Sequence, residues 1–515
     1  MVDPDLEREN PPSISAGSPV SAGRPPGHFG SLATGETHVS WLVFSEDRVF
    51  KIKKPLTLGF LDWTDGSARE QACRNEVELN RRLAPSVYLG VGHFEDPSGG
   101  REPVVVMRRM PADRSLSALI ERGDGDLEGA VADVAARLAS FHATAPSGGR
   151  VRRAGSVSAV RRLWSKNLRE LRTWAVPEGG RSQLDALDAA ALRYLKSRRP
   201  LFNDRIRRGR VVDGHGDLLC DDIFLTAEGP QILDCLEFDD RLRYGDVVSD
   251  LAFLAMDLEH RSRPDLAASL VARYQAQSGD HWPPSLTHFW VAYRALVRAK
   301  VTYLRSSQSP PSARAALVAD ADGLVGMAAR HLSRALPKVV VVGGLPGTGK
   351  STLAQGLSQV TGWPVVSSDH LRRLPAAGDA GTDRLYSTEQ VDANYGRLVA
   401  AARELVGMGE SVVLDATWSR SARRRDVAAM AAATGADLVA LRCVAAASVA
   451  AQRMVDRQRA ARSGRVEVES DATPEVAEAM RSAWDDWPEA AEVDTTDGRS
   501  SALESALTAL RWTTA

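Results

Sequence analysis

The chain has 515 residues, 43% of them hydrophobic and 25% charged, which is too much for one core and suits two or three soluble domains. Its 65 Lys and Arg offset 66 Asp and Glu to a net charge of -1, so no whole-chain field draws it to nucleic acid or to an anionic membrane. The four cysteines, Cys73, Cys220, Cys235 and Cys443, are far apart, which excludes a zinc-type spacing or a disulfide framework and fits a reducing cytosol.

Residues 1–30 are rich in Pro, Ser and Gly and cannot repay their ordering entropy, so a flexible tail is expected there. The start is acidic and lacks an apolar stretch, unlike a signal peptide, and no run of about 18 apolar residues follows, so the expected location is cytoplasmic with no membrane partner. Folded structure is expected from Ser31. His38 to Lys53 (HVSWLVFSEDRVFKIK) alternates around a turn at Ser45 to Asp47 and predicts an antiparallel hairpin. A helix is expected over Ala68 to Leu83, a strand in REPVVVMRRMP and a helix over Leu127 to His142. Residues 150–208 read as mostly helical, and VVDGHGDLLCDDIFL and QILDCLEFDD as short strands or loops around acids. Val247 to Leu258 is apolar almost all round and therefore buried. Strands first and helices after give a two-lobed α+β domain.

The cluster SSQSPPS at 306–312 breaks the pattern, and the boundary is placed near Leu336, giving domains 31–335 and 336–515. Beyond it KVVVVGG, PVVSSD, SVVLDAT and LVALRCV each precede a helix, which predicts a parallel doubly wound sheet.

The segment GLPGTGKS has the Walker A pattern, directly after an apolar strand and opening a helix, the context that motif requires. Gly344, Leu345, Pro346, Gly347, Thr348 and Gly349 would turn backbone N–H groups toward phosphates, with Thr352 one residue beyond the motif. Lys350 would reach the β and γ phosphates, and the Ser351 hydroxyl would hold Mg²⁺. Asp369 and Asp415 end the second and third strands of this half, the edge where open α/β sheets bind ligands. Asp369 is placed to accept a hydroxyl proton and Asp415 to orient magnesium's water; the competing reading of either is a helix N-cap. Arg372, and Arg453 with Arg457 at i and i+4, are candidates to neutralise phosphoryl charge. With SSD..R, VVLDAT and an arginine-bearing lid at 457–471, this half resembles AAA-type P-loop kinases of the zeta-toxin and polynucleotide-kinase kind. That resemblance implies that Asp369 and Arg372 handle the acceptor hydroxyl.

A second constellation is HGDLLCDD, His215 to Asp222, with Asp234 twelve residues later in ILDCLEF. Transfer from ATP needs a carboxylate near the acceptor hydroxyl and oxygen ligands for Mg²⁺, and Asp217, Asp222 and Asp234 can supply them. With ETHVSWLVF, VFKIKKP, NEVELNRRLAP, SDLAFLAMDLE and YRALVRAK, the chain resembles the aminoglycoside phosphotransferase superfamily, in its bifunctional branch fused to a P-loop domain. The resemblance implies a protein-kinase-like fold with Asp217 as base and Asp222 and Asp234 on Mg²⁺. It also implies that Lys51 contacts the α and β phosphates and that Glu76 pairs with Lys51. Lys53, on the same strand face, competes for that lysine role. Asp222 stands where the superfamily usually has Asn, so three carboxylates would crowd the site and raise one pKa in the absence of metal. Only one glycine occupies TGETHVS, where a phosphate-covering loop would lie.

Asp250 reads as a structural acceptor for catalytic-loop amides, His142 as a packed helix residue, and Arg294, Arg298 and Arg305 as a solvated face. The leading expectation is an ATP- and Mg²⁺-dependent phosphotransferase acting on a small-molecule hydroxyl. One rival is a nucleotide-gated regulatory protein. Another is a polynucleotide 5′-hydroxyl kinase using the basic cluster Arg420, Arg423, Arg424 and Arg425, although the near-neutral composition speaks against nucleic acid.

Overall fold

The computed structural model describes residues 33–37, 39–58, 61–95, 100–173, 178–373, 388–462 and 474–511. The expected tail at 1–30 lies outside them, as does most of the expected lid at 457–471. The chain divides into two compact units, Met1–Val160 with Arg205–His281, and Arg161–Asp204 with Trp282–Ala515.

In the first unit an antiparallel sheet of five strands runs Ala33–Glu36, Ser40–Phe44, Arg48–Lys53, Arg101–Arg108, Tyr88–Glu95 in spatial order. The second and third form the hairpin that alternation predicts, with Leu42 opposite Lys51. Helix Gly66–Asn80 buries Ala72, Cys73, Glu76, Val77 and Asn80, a stripe at helical spacing, in packing against this sheet. The apolar layer there gathers Cys73, Val77, Val87, Tyr88 and Val105. A two-residue connection joins the antiparallel strands Ile223–Thr226 and Gly229–Ile232, and Val211–Asp213 pairs antiparallel with Tyr244–Asp246 across the intervening acidic segment. Helix Val247–His260 is buried from Val247 to Leu258, as its all-round apolar sequence requires, and Asp246 caps it by accepting the Val248 N–H at 3.0 Å.

The second unit contains a five-stranded parallel sheet in the order Val365–Ser367, Val412–Asp415, Lys338–Gly343, Asp437–Val444, Ala491–Asp494. Val339 to Val342 are all buried because layers of side chains cover both faces: Leu398, Trp418 and Met430 on one, Leu353, Leu357 and Ala506 on the other. The fifth strand escapes sequence patterning because it is a four-residue edge with only Val493 buried. Helices Glu178–Ser197, Pro284–Gln308 and Pro311–Arg334 belong to the same unit, so the break at 306–312 separates two helices within it. Arg198, fully buried, donates to the Thr434 carbonyl at 2.6 Å and so satisfies the C-terminus of helix Ser421–Thr434. Arg294 corrects the expected solvated face: it is buried in its helix and lies beside the Tyr293 ring.

Candidate active sites

The acids of the first unit converge on the lysines of its hairpin. Lys51 Nζ lies 2.8 Å from Glu76 Oε1 and donates to Asp234 Oδ1 at 2.7 Å. Lys53 Nζ lies 2.6 Å from Glu76 Oε2 and also pairs with Glu237. The alternatives Lys51 and Lys53 thus both hold Glu76, and only Lys51 reaches Asp234. Burial alone would lower both ammonium pKa values, but Asp234, Glu76 and Glu237 beside Lys51, and Glu76 and Glu237 beside Lys53, raise them. Glu76 is fully buried, which favours its neutral form, yet the two lysines hold its pKa below the usual carboxylate value.

Asp234 sits at φ 63°, a left-handed conformation that a non-glycine residue adopts at a cost. Side chains from the sheet and its helix fix it: its N–H donates to Tyr88 Oη at 3.2 Å, and the Cys235 N–H donates to Asn80 Oδ1 at 2.8 Å. Its carboxylate pKa is lowered, first by Lys51. Asp222 goes the other way. Burial, then Asp234 and Asp217, push its carboxyl well above the usual range, the outcome expected of three carboxylates sharing one site. Among the described residues no three His, Cys, Asp or Glu groups form a metal cage. Mg²⁺ in phosphoryl-transfer sites takes only one or two carboxylates beside phosphate and water, and the mutual repulsion of Asp222 and Asp234 fits that donor set.

The loop carrying Asp217 is held from below. Asp250 accepts the N–H groups of His215 at 2.6 Å and Gly216 at 2.9 Å, the structural role read for it. His215 donates Nε2–H to the Leu233 carbonyl at 3.0 Å, which leaves Nδ1 to accept the Asp217 N–H at 3.4 Å. Burial lowers the His215 pKa to about 4, so the ring is neutral and its tautomer set. His142 is a core residue, with Nδ1 2.9 Å from Tyr274 Oη.

In the second unit the glycines of the loop after strand Lys338–Gly343 carry positive φ, 81° at both Gly347 and Gly349. At Gly347 a Cβ would come within 2.5 Å of the Ala450 carbonyl oxygen, so no larger residue fits. Lys350 opens helix Lys350–Thr361, and Ser351 and Thr352 lie in its first turn, where N–H groups are unpaired within the helix. Asp415 ends its strand opposite Val342, and it is buried. Asp369 lies in the first turn of helix Ser368–Arg373; Ser367 Oγ, rather than Asp369, accepts the amide there, and Arg372 pairs with Asp369 at 3.0 Å.

Helix Ala447–Arg462 carries Arg453 and Arg457. Arg453 donates to Thr495 Oγ1 at 3.0 Å and to its carbonyl at 2.6 Å, while Thr495 Oγ1 donates to the Thr348 carbonyl at 2.8 Å. A cleft of about 360 Å³ runs between Gly347, Gly349, Thr352, Arg453, Arg457 and Thr495. A cleft of about 540 Å³ adjoins Gly344, Leu345 and Pro346 and is flanked by Arg442, Arg481 and Trp484. The arginine cluster is mostly spent internally: Arg423 pairs with Asp392 at 2.8 Å, and the buried Arg424 donates to the Asp485 and Asp486 carbonyls.

Sequence patterning missed Tyr88, Asn80, Glu237 and Thr495. Each is an ordinary residue type on an ordinary element, and only long-range pairing gives it a role.

Residues 54–285 match the model of the phosphotransferase enzyme family, and residues 339–486 match an AAA domain. The uncharacterised protein Rv2004c of Mycobacterium tuberculosis is 42% identical over 475 residues, 90% of this chain and 92% of its own. Among solved structures, choline kinase from Cryptosporidium parvum Iowa II is 9% identical, covering 59% of this chain and 89% of its own, with a TM-score of 0.36. The Mycobacterium tuberculosis APS kinase CysC is 21% identical, covering 34% and 98%, with a TM-score of 0.27.

Proposed function

We propose, for a chain that belongs to the family joining a phosphotransferase-enzyme domain to a P-loop AAA domain, that it is an ATP- and Mg²⁺-dependent phosphotransferase acting on a small-molecule hydroxyl, with nucleotide sites in domains 31–335 and 336–515. The observation that carries this is the convergence of Lys51, Glu76 and Asp234 from three separate parts of the chain within 2.8 Å contacts.

In the first site Lys51 neutralises the α and β phosphates while Glu76 holds its ammonium in place. Asp217 accepts the proton as the acceptor oxygen bonds to the γ-phosphorus and the bond to the β–γ bridging oxygen breaks, leaving ADP. Asp222 and Asp234 would hold Mg²⁺, which would supply positive charge against the phosphates. In the second site Lys350 and the loop amides bind the β and γ phosphates, and Ser351 and Asp415 would hold Mg²⁺ and its water. Asp369 takes the acceptor proton there, and Arg372, Arg453 and Arg457 offset negative charge. The cleft beside Thr352, Arg453 and Thr495 suits the base and ribose.

Among the described residues no helix is long and apolar enough to cross a membrane. Two of the four arginines in the basic cluster are engaged within the fold, Arg423 by Asp392 and Arg424 by backbone carbonyls, which weakens the case for a polynucleotide acceptor.

The test is γ-phosphate consumption across a panel of sugars, amino alcohols and aminoglycosides, in the parent and in Lys350→Ala and Asp217→Ala. Acceptor-dependent turnover that one or both substitutions abolish supports the enzyme. Turnover indifferent to both, or none with any acceptor, would return the chain to a nucleotide-gated regulator.

A further inference from the structure

We propose that Lys53 is a positioning residue of the first site, holding Glu76 and Glu237 so that Lys51 can exchange Asp234 for nucleotide phosphate. This rests on the phosphotransferase reading of that site.

The five charges form one alternating chain, Asp234, Lys51, Glu76, Lys53, Glu237, whose two ends are three residues apart in sequence. Glu76 divides its oxygens: Oε1 goes to Lys51 at 2.8 Å and Oε2 to Lys53 at 2.6 Å. A fully buried carboxylate facing a single lysine would draw that lysine onto both oxygens, in the bidentate pairing that low dielectric favours. Lys53 occupies the second oxygen and prevents it, so Lys51 remains turned toward Asp234 and the phosphate position.

Lys53 has no route to a ligand itself. Its side chain is fully buried, its ammonium lies 4.8 Å from the centre of the Trp63 ring, and Trp63 is buried as well. Its other partner, Glu237, lies on the segment that carries Asp234. That segment is tied back by Tyr88 to Asp234, by Asn80 to Cys235 and by the Leu236 N–H to the His215 carbonyl at 3.2 Å. The Lys53–Glu237 pair is a further tie, and it keeps the segment joined to Glu76 when Lys51 leaves Asp234 for phosphate.

The full chain carrying Lys350→Ala, which silences the second site, is the background for the test. MgATP titrations and steady-state kinetics compare it with the same chain carrying Lys53→Met and Glu237→Met together, a charge-neutral replacement that leaves the Lys51–Glu76 pair intact. The expected result is an unfolding midpoint like the background's with the Kd and KM for MgATP raised roughly tenfold or more. A merely structural role would lower the amplitude of binding and leave Kd and KM unchanged, and that result would overturn the proposal. If the double variant does not fold, Glu237→Gln decides: a raised KM supports the tie, and a parental KM overturns it. Failure of the Lys350→Ala background itself to bind MgATP would overturn the nucleotide reading of the site, and the positioning role with it.

Discussion

The two candidate sites assemble positive charge in opposite ways. In the second unit its core is one continuous stretch, the backbone amides of Gly344 to Gly349 and a helix start carrying Lys350, with left-handed glycines at 347 and 349 shaping the turn and Arg372, Arg453 and Arg457 added from outside it. In the first unit it comes from two buried lysines held by acids 23 to 184 residues away, which needs the sheet, its helix and the segment 234–237 all in place. A backbone cradle depends on local conformation and tolerates change elsewhere. A side-chain cage depends on the whole fold and is vulnerable wherever one charge is removed.

The largest expected effect tests whether the cage is catalytic at all. Asp217→Asn keeps the shape of the loop on His215 and Asp250 and removes the proton acceptor, so kcat of the first site should fall by about 10²–10⁴ while MgATP affinity is kept. A parental kcat in stopped assays on the Lys350→Ala background would remove Asp217 from the chemistry.

The cage is also fragile. Glu76→Gln leaves two buried ammonium groups with one carboxylate each, so the first unit should lose roughly 3 kcal/mol of stability. The contrasting change in the cradle, Lys350→Ala, removes a half-buried lysine at a helix start and should cost well under about 1 kcal/mol. Equal losses for the two, measured by denaturant unfolding, would erase the contrast.

The smallest effect is in pH. His215 has its folded pKa lowered to about 4 by burial, against an ordinary value of 6.5. Above pH 6.5 the ring is neutral folded and unfolded. As pH falls below that value the unfolded chain takes up a proton that the folded chain refuses, so stability is lost, by about 1 kcal/mol between pH 7 and 5.5. His215→Asn should flatten that limb of the unfolding curve, and an unchanged slope would show that the ring is not kept neutral.

Much of the cradle was legible in the sequence because its residues are contiguous and its strands apolar: GLPGTGKS, the four leading strands and Asp415 all stand where patterning places them. The cage was legible only through its acids and the resemblance. Alternation put Lys51 and Lys53 on one face but could not say that Glu76 binds both, since that follows from the packing of helix Gly66–Asn80 on the sheet. Arg294 and Arg424 looked like surface charge because composition does not show which arginines find aromatic rings and carbonyls inside. Thr495 follows a strand with one buried side chain, too faint a signal for any periodicity.

The most direct test of the account is the number of MgATP molecules bound per chain, measured by calorimetric titration of the full-length protein. Two are expected, falling to one in Lys350→Ala, to one in Lys51→Met and to none when both are combined. A single site that survives both substitutions, or no binding by the parent chain, would contradict it.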